Sequence, residues 1–116
     1  MTFKEEKKGD VTIVYVHGKL MGGMETSAVH DRVHVLAESG VKKLVLDLSQ
    51  VKWMNSSGLG VLMSSMTTMK LHGGDLRLSA VIEKVESLLM ITQLLKIFKT
   101  YKTVEEAVQS FSSQDV

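Results

Sequence analysis

Apolar segments with strand character alternate with segments of helical periodicity along most of this chain. The segment Val11–Val16 is β-branched or aromatic at every position, so it predicts a strand that ends in a turn at His17-Gly18. Thr2–Lys8 is expected to pair with it as an edge strand, because Gly9-Asp10 between the two is a hairpin turn sequence. Two more strands are predicted further along the chain, over Leu44–Leu48 and Asp75–Ala80.

Two segments carry apolar residues at three- and four-residue steps, which is the spacing of an amphipathic helix. They run from about Glu25 to Glu38 and from about Ser57 to Leu71. Glycine commonly terminates helices, and glycines follow both segments. They are Gly40 after the first helix and Gly73-Gly74 after the second.

Two parts of the chain have a less regular pattern. Residues 47–55 predict a loop whose apolar side chains, including Trp53, tuck under the sheet. Residues 81–98 fit either one long helix or a helix followed by a loop and a short strand near Ile97–Tyr101. Periodicity alone does not decide between these two alternatives.

The end of the chain predicts one more helix, because Thr103 and Glu106 have the spacing of a capping box and precede an apolar stripe. The last residues, 113–116, are expected to fray. Strands and helices in this order predict an α/β domain, with helices packed against a small mixed β-sheet. At 116 residues, the whole chain 1–116 fits a single domain.

Composition narrows the class of protein and its location. With 44% hydrophobic and 23% charged residues, the chain is typical of a globular protein, and its 14 basic against 13 acidic residues argue against nucleic-acid binding. The sequence contains no cysteine, which removes disulfides, thiol catalysis and cysteine metal ligands. No stretch has the length of a membrane span or the apolar core of a leader, so we expect a cytoplasmic protein without membrane contact.

The spacing of the candidate motifs argues against catalysis and metal binding. His30 and His34 in HDRVH have the spacing of a zinc helix, but a zinc hydrolase needs a third protein ligand and only the isolated His72 follows. Gly58-x-Gly60 lacks the other features of a dinucleotide loop. The serines that precede it lack the glycine of a nucleophile elbow. We therefore expect no metal, no cofactor and no catalytic residue.

Two adjacent serines lie where an apolar strand is expected to lead into the second helix, in the sequence Asn55-Ser56-Ser57. Either Asn55 or Ser56 can cap the free N–H groups of the helix, and those groups together with the helix dipole favour an anion. Ser56 and Ser57 are therefore candidates for a phosphate-bearing position. The simpler interpretation, a well-capped helix, explains the same residues equally well.

The methionines indicate where a partner would bind. Eight are present, and those of the second helix are expected to fill the core. Met21 and Met24 differ, because they flank Gly22-Gly23 in a predicted loop. They are candidates for exposure and for contact with a partner.

The serine-containing segment is part of a longer pattern. LVLDLSQVKWMNSSGLGVL, residues 44–62, resembles the signature of the STAS-domain anti-anti-sigma factors, which are bacterial antagonists of anti-sigma kinases. VTIVYVHGKL resembles the second strand and the following loop of that family, GGDLRLSAV a later strand, and IFKTYKTVEEAV its last strand and terminal helix. The resemblance implies a STAS-like domain with a helix over Ile82–Thr92, a loop over Gln93–Lys96 and a strand over Ile97–Tyr101.

In the family that this chain resembles, the unphosphorylated protein sequesters an anti-sigma factor and so frees a sigma factor. The anti-sigma factor has serine kinase activity and inactivates the antagonist by phosphorylating it. A PP2C-type phosphatase removes the phosphate and restores the antagonist. Position by position, the resemblance puts the phosphorylated serine at Ser56, with Ser57 as the second choice. The residues expected to bind the partner are Met21, Gly22, Gly23, Met24, Asn55, Ser56, Ser57, Gly58 and Leu59.

Two positions depart from the family pattern. Asn55 stands where an aspartate usually precedes the phosphorylated serine, and Leu20-Met21 stands where Leu-Asp usually follows the glycine loop. Both changes remove an acidic group near the expected site. A STAS interaction module that is not phosphorylated at Ser56 is therefore the alternative, and a serine hydrolase or nucleotide-handling enzyme ranks below it. The sequence leaves homodimerisation open.

Overall fold

The computed structural model describes residues 3–113, so any pairing by Thr2 and the fraying predicted for residues 114–116 lie outside the described residues. Ser113, the first residue of the segment predicted to fray, is instead the last residue of the final helix. Five strands and four helices follow one another in this part of the chain, with a short 3-10 turn before the last strand. In chain order they are β1 Phe3–Lys8, β2 Val11–Leu20, α1 Gly23–Glu38, β3 Lys43–Met54, α2 Ser56–Leu71, β4 Asp75–Ser79, α3 Glu83–Ile91, the 3-10 turn Leu94–Lys96, β5 Thr100–Tyr101 and α4 Val104–Ser113.

The strands form one mixed sheet in the order β1-β2-β3-β4-β5. β1 runs antiparallel to β2 across the predicted hairpin, and the remaining neighbours are parallel. Leu44, Leu46 and Leu48 of β3 face the core that the sheet shares with α1, α2 and α3. The other face packs α4 through a smaller apolar cluster that includes Val45 and Phe111. The predicted α/β domain with a small mixed sheet is confirmed.

Two predicted boundaries are wrong at the ends of β2 and β3. β2 does not turn at His17-Gly18 but continues to Leu20, and most of the predicted loop 47–55 is the second half of β3. The two extensions pair with each other, with register shifts between Tyr15 and His17 and between Gly18 and Lys19. Such irregularities interrupt the alternation of inward and outward side chains. The apolar pattern of this segment therefore looked like that of a loop.

The C-terminal third follows the helix-loop-strand alternative, with a shorter strand than expected. β5 is only Thr100–Tyr101, because the main-chain N–H groups of Ile97 and Phe98 donate to the oxygen of Leu94 in a turn. The predicted cap of the last helix is present, since the N–H of Glu106 donates to Thr103 Oγ1 at 3.0 Å. Among the described residues, no helix is long and apolar enough to cross a membrane.

Candidate functional site

Asn55 is the residue that caps α2. Its backbone is extended, and its Oδ1 accepts hydrogen bonds from the N–H groups of Ser57 at 2.9 Å and Gly58 at 3.3 Å. These bonds satisfy two of the donors that a helix start leaves free. Of the two candidate caps, the structure thus selects Asn55. Ser56 becomes the first residue of the helix, and its side chain is exposed.

The loop after β2 lies against this helix start. Asn55 Nδ2 donates to the main-chain oxygen of Met21 at 3.0 Å, and the Asn55 N–H donates to the oxygen of Leu20 at 3.2 Å. Gly22 faces Ser57 so closely that a Cβ built on Gly22 would lie 3.5 Å from Ser57 Oγ. Two segments more than thirty residues apart in sequence are therefore brought together.

Gly22 also fixes the start of α1. It has a φ of +110°, a conformation that favours glycine, and its N–H donates to Thr26 Oγ1 at 2.7 Å. The Thr26 hydroxyl donates in turn to the oxygen of Gly22 at 3.1 Å. Met21 in this loop has 47% of its surface exposed, and Met24 in the first turn of α1 has 89% exposed. The predicted exposure of these two methionines is confirmed, but the predicted loop position of Met24 is wrong, because α1 already begins at Gly23.

Gly58 and Leu59 occupy a different environment from the other residues of the predicted partner-binding set. A Cβ on Gly58 would lie 2.4 Å from the oxygen of Leu20 and 2.7 Å from Met54 Cγ. Leu59 is 7% exposed and belongs to the core. Both are buried by the chain's own residues, so the expectation that they contact a partner is corrected. They bring α2 close to the ends of β2 and β3 instead.

Trp53 lies at the end of β3 with 49% of its surface exposed. The sequence predicts that it tucks under the sheet, and this prediction is wrong. Lys84 Nζ, from the first turn of α3, lies 4.1 Å from the centre of its ring. The sequence pattern does not reveal which face of the sheet Trp53 occupies, because the register shifts between β2 and β3 interrupt the alternation of side chains along the strand.

The three histidines of the α1–α2 pair lie closer together than the sequence indicates. The ring of His34 is 6.3 Å from that of His30 and 6.2 Å from that of His72, so His72 is not isolated. One ring nitrogen of each has a neighbour within the chain: His30 Nε2 bonds Thr68 Oγ1, His72 Nδ1 bonds the Thr68 main-chain oxygen and His34 Nε2 pairs with Glu38. Within residues 3–113, no group of three or more His, Asp or Glu side chains has the geometry of a metal site.

Comparison with known proteins identifies the family. The STAS domain family model matches residues 3–107, which include every strand and all of the candidate site. Over 70 residues the chain is 37% identical to a Thermotoga maritima protein that carries the provisional name of anti-sigma factor antagonist. The matched part is 60% of this chain and 62% of that relative, so it spans less than two thirds of the relative's length.

Solved structures show the same architecture. An anti-sigma factor antagonist from Mycobacterium paratuberculosis superimposes with a TM-score of 0.80 at 25% identity, covering 94% of this chain and 92% of that one. The anti-sigma factor antagonist SpoIIAA in its unphosphorylated form gives a TM-score of 0.71 at 16% identity, covering 96% and 98% of the two chains. At that identity the likeness to SpoIIAA is one of fold. The family match and the mixed sheet with its four helices establish that this chain belongs to the STAS domain family.

Proposed function

We propose that this chain is an anti-sigma factor antagonist that acts by binding, without catalysis, and that phosphorylation of Ser56 switches the binding off. The observation that carries the proposal is the position of Ser56, exposed at the first turn of α2 beside the loop that contains Met21 and leads to exposed Met24 at the start of α1. The names of the similar proteins support the same class of activity. SpoIIAA, which shares the fold, has also been solved in a phosphorylated form.

The surface around Ser56 suits a partner in the unphosphorylated state. Exposed methionines are flexible and polarisable, so they adapt to an apolar surface on another protein. The first turn of α2 carries no acidic side chain, and Ser56 is small and neutral. A partner can therefore pack against the start of α2 without burying a charge of that turn. We expect the partner to be an anti-sigma factor with serine kinase activity.

Phosphorylation would change this surface more than it would change the fold. A phosphoserine carries about −1.5 to −2 charges at neutral pH. The N-terminal end of α2 would stabilise that charge locally, because the helix dipole is positive there. The same charge beside Met21 and Met24 would have to be desolvated when an apolar partner packs on them, which is costly. Phosphorylation would thus favour the free protein, and a PP2C-type phosphatase would restore binding.

The alternative is a STAS interaction module that is not phosphorylated on Ser56. Asn55 favours this alternative, because the residue before Ser56 is neutral here where an aspartate is usual in the family that the sequence resembles. A kinase that reads the aspartate would phosphorylate this chain poorly. The two possibilities share the binding surface and differ only in the switch.

The switch is tested with an anti-sigma kinase from the same genome and ATP. Intact-mass spectrometry should show one added phosphate on the wild-type chain and on Ser57→Ala, and none on Ser56→Ala. Ser57→Ala is the matched control, because it removes a neighbouring exposed hydroxyl. Equal incorporation into Ser56→Ala would contradict the assignment.

Binding is tested separately with the same partner. Ser56→Ala should bind like the wild type, and Ser56→Asp should bind more weakly. Ser56→Asn distinguishes charge from size, and it should resemble Ser56→Ala. Equal binding by all the variants, together with no phosphate incorporation, would favour the unphosphorylated module.

A further inference from the structure

β2 and β3 extend beyond the rest of the sheet. In the described residues, pairing with β1 ends at Val16 and pairing with β4 ends at Asp47. Beyond these points the segments His17–Leu20 and Gln50–Met54 pair with each other. We call them the β2–β3 ribbon.

The two faces of the β2–β3 ribbon have opposite character. Leu20 and Met54 are in register and face α2, where Leu20 is completely buried. The preceding pair in register, Lys19 and Trp53, is exposed on both strands. Since neighbouring side chains of a strand point to opposite faces, Lys19 and Trp53 share the face that is turned away from α2. This outer face is therefore distinct from the surface around Ser56.

Trp53 gives the outer face a large apolar area. It is the single tryptophan of the chain, and half of its surface is exposed. Tryptophan is enriched at protein interfaces, because its ring offers a large contact area together with a polar N–H group. Lys84 Nζ lies over the ring at 4.1 Å, so a cation sits on the aromatic face.

The outer face carries two lysines. Lys19 is in register with Trp53, Lys84 lies over its ring, and both are exposed. Within residues 3–113, neither of the two forms an ion pair. Lysines elsewhere do form such pairs, for example Lys43 with Asp10 at 2.9 Å. The ammonium groups at the ribbon are thus available to carboxylates of another molecule.

From this arrangement we propose that the outer face of the β2–β3 ribbon is a docking surface for an acidic segment of a partner protein. Carboxylates of the segment would pair with Lys19 and Lys84, and an apolar side chain between them would pack on Trp53. A nucleic acid fits less well, because the chain is almost neutral overall and the face offers a single aromatic ring for stacking. The proposal adds a second contact surface to the one at Ser56 and does not depend on phosphorylation.

The surface is tested by selecting binders from a random twelve-residue peptide display library on the immobilised wild-type chain. We expect the enriched peptides to be rich in Asp and Glu. A selected peptide should change the fluorescence of Trp53, and its affinity should fall at least about tenfold in Lys19→Glu and Lys84→Glu, because like charges would then meet. Lys84→Glu is not expected to disturb the fold, since an acidic residue is favourable in the first turn of a helix.

Lys99→Glu is the matched control. Lys99 is exposed and lies with Lys70 and Asp75 beside a cleft at the opposite end of β4, and its reversal changes the net charge by the same amount. The Lys99→Glu and Ser56→Asp variants should both bind the selected peptide with the affinity of the wild type. Failure of phosphorylation at Ser56 would leave these results unchanged, so the two proposals are tested independently.

Three outcomes would overturn the inference. The first is that no peptide is enriched or that the enriched peptides are not acidic. The second is that Lys99→Glu weakens binding as much as Lys84→Glu, which would indicate attraction by the net charge alone. The third is that a single-stranded oligonucleotide binds more tightly than the selected peptide and loses affinity in the same variants.

Discussion

The side-chain amide of Asn55 joins α2 to the loop after β2 by donating a hydrogen bond to the main-chain oxygen of Met21 at 3.0 Å. The oxygen of the same amide caps the helix through the N–H groups of Ser57 and Gly58. Only a side chain with both a donor and an acceptor can make these two sets of bonds at once. An aspartate at this position would keep the cap and lose the donor. Asn55 therefore holds the loop at Met21 and the candidate phosphorylation site in one arrangement.

Replacement of Asn55 should separate its two roles. Asn55→Ala removes both and should lower the free energy of unfolding by about 1 kcal/mol or more, the usual contribution of a helix cap. Asn55→Asp should retain most of the stability but release the loop, because a carboxylate repels the oxygen of Met21. Amide hydrogen exchange at Gly22 and Gly23 should then be faster in Asn55→Asp than in the wild type. Unchanged exchange at these glycines would show that the bond to Met21 does not restrain the loop.

Gly58 and Gly60 should respond in opposite ways to the same substitution. A Cβ on Gly58 would collide with the oxygen of Leu20, so we expect Gly58→Ala to lower the free energy of unfolding by about 1–3 kcal/mol. Nothing lies within 4 Å of a Cβ on Gly60, and Gly60→Ala should be stabilising by about 0.5–1 kcal/mol, because alanine is the better helix former. Urea unfolding of the two variants measures the difference. Equal stability would contradict the close approach of α2 to β2.

Met24 should matter for binding and not for folding. Because 89% of its surface is exposed, Met24→Ser is expected to leave the free energy of unfolding within about 0.5 kcal/mol of the wild type. Its affinity for the anti-sigma partner should fall by about 1 kcal/mol or more, as for an anchor side chain in an interface. Met90→Ser is the control, since Met90 is 60% exposed on α3. Titration calorimetry that finds the two variants equally impaired would argue against Met24 as part of the contact surface.

Tyr15 should make the fold sensitive to alkaline pH. Its partial burial, together with the hydrogen bond that its hydroxyl donates to Glu6 at 2.8 Å and the charge of that carboxylate, raises the pKa of Tyr15 to about 12 from an ordinary value of 10.0. The folded state thus favours the neutral phenol. The resulting stability is fully present below pH 10 and is lost as the pH rises through about 12.

Absorbance titration and urea unfolding can follow this loss. The chain has two tyrosines, so Tyr101→Phe isolates the phenolate signal of Tyr15. The free energy of unfolding should fall between pH 10 and pH 12 in that variant and should fall less in Tyr15→Phe. A titration midpoint near pH 10.0 would show that Glu6 does not stabilise the neutral Tyr15 hydroxyl in solution.

Prediction from sequence worked best where the controlling contacts are local. The α1 and α2 helices, the hairpin between β1 and β2 and the Thr103 cap each depend on residues within a few positions of one another. The capping role of Asn55 is also local, and the sequence narrowed it to two adjacent residues. The segment after α3 needed the resemblance to the STAS family, because its periodicity fitted both a long helix and a helix followed by a strand.

Other features depend on residues that meet only in the folded chain. The β2–β3 ribbon forms through register shifts between segments that lie more than thirty residues apart, so Trp53 could not be assigned to a face from its own neighbours. The sequence predicts that Gly58 contacts a partner, but Leu20 and Met54 of the same chain fill the space beside it.

The sequence by itself therefore determined the order of strands and helices and the family pattern around Ser56, because periodicity and capping are properties of adjacent residues. Tertiary structure decided that Asn55 binds Met21, that Gly58 is a packing position and that Trp53 is exposed among lysines. Each of these features depends on contacts among β2, β3, α2 and α3. Because those elements are far apart along the chain, the local sequence pattern does not reveal the contacts.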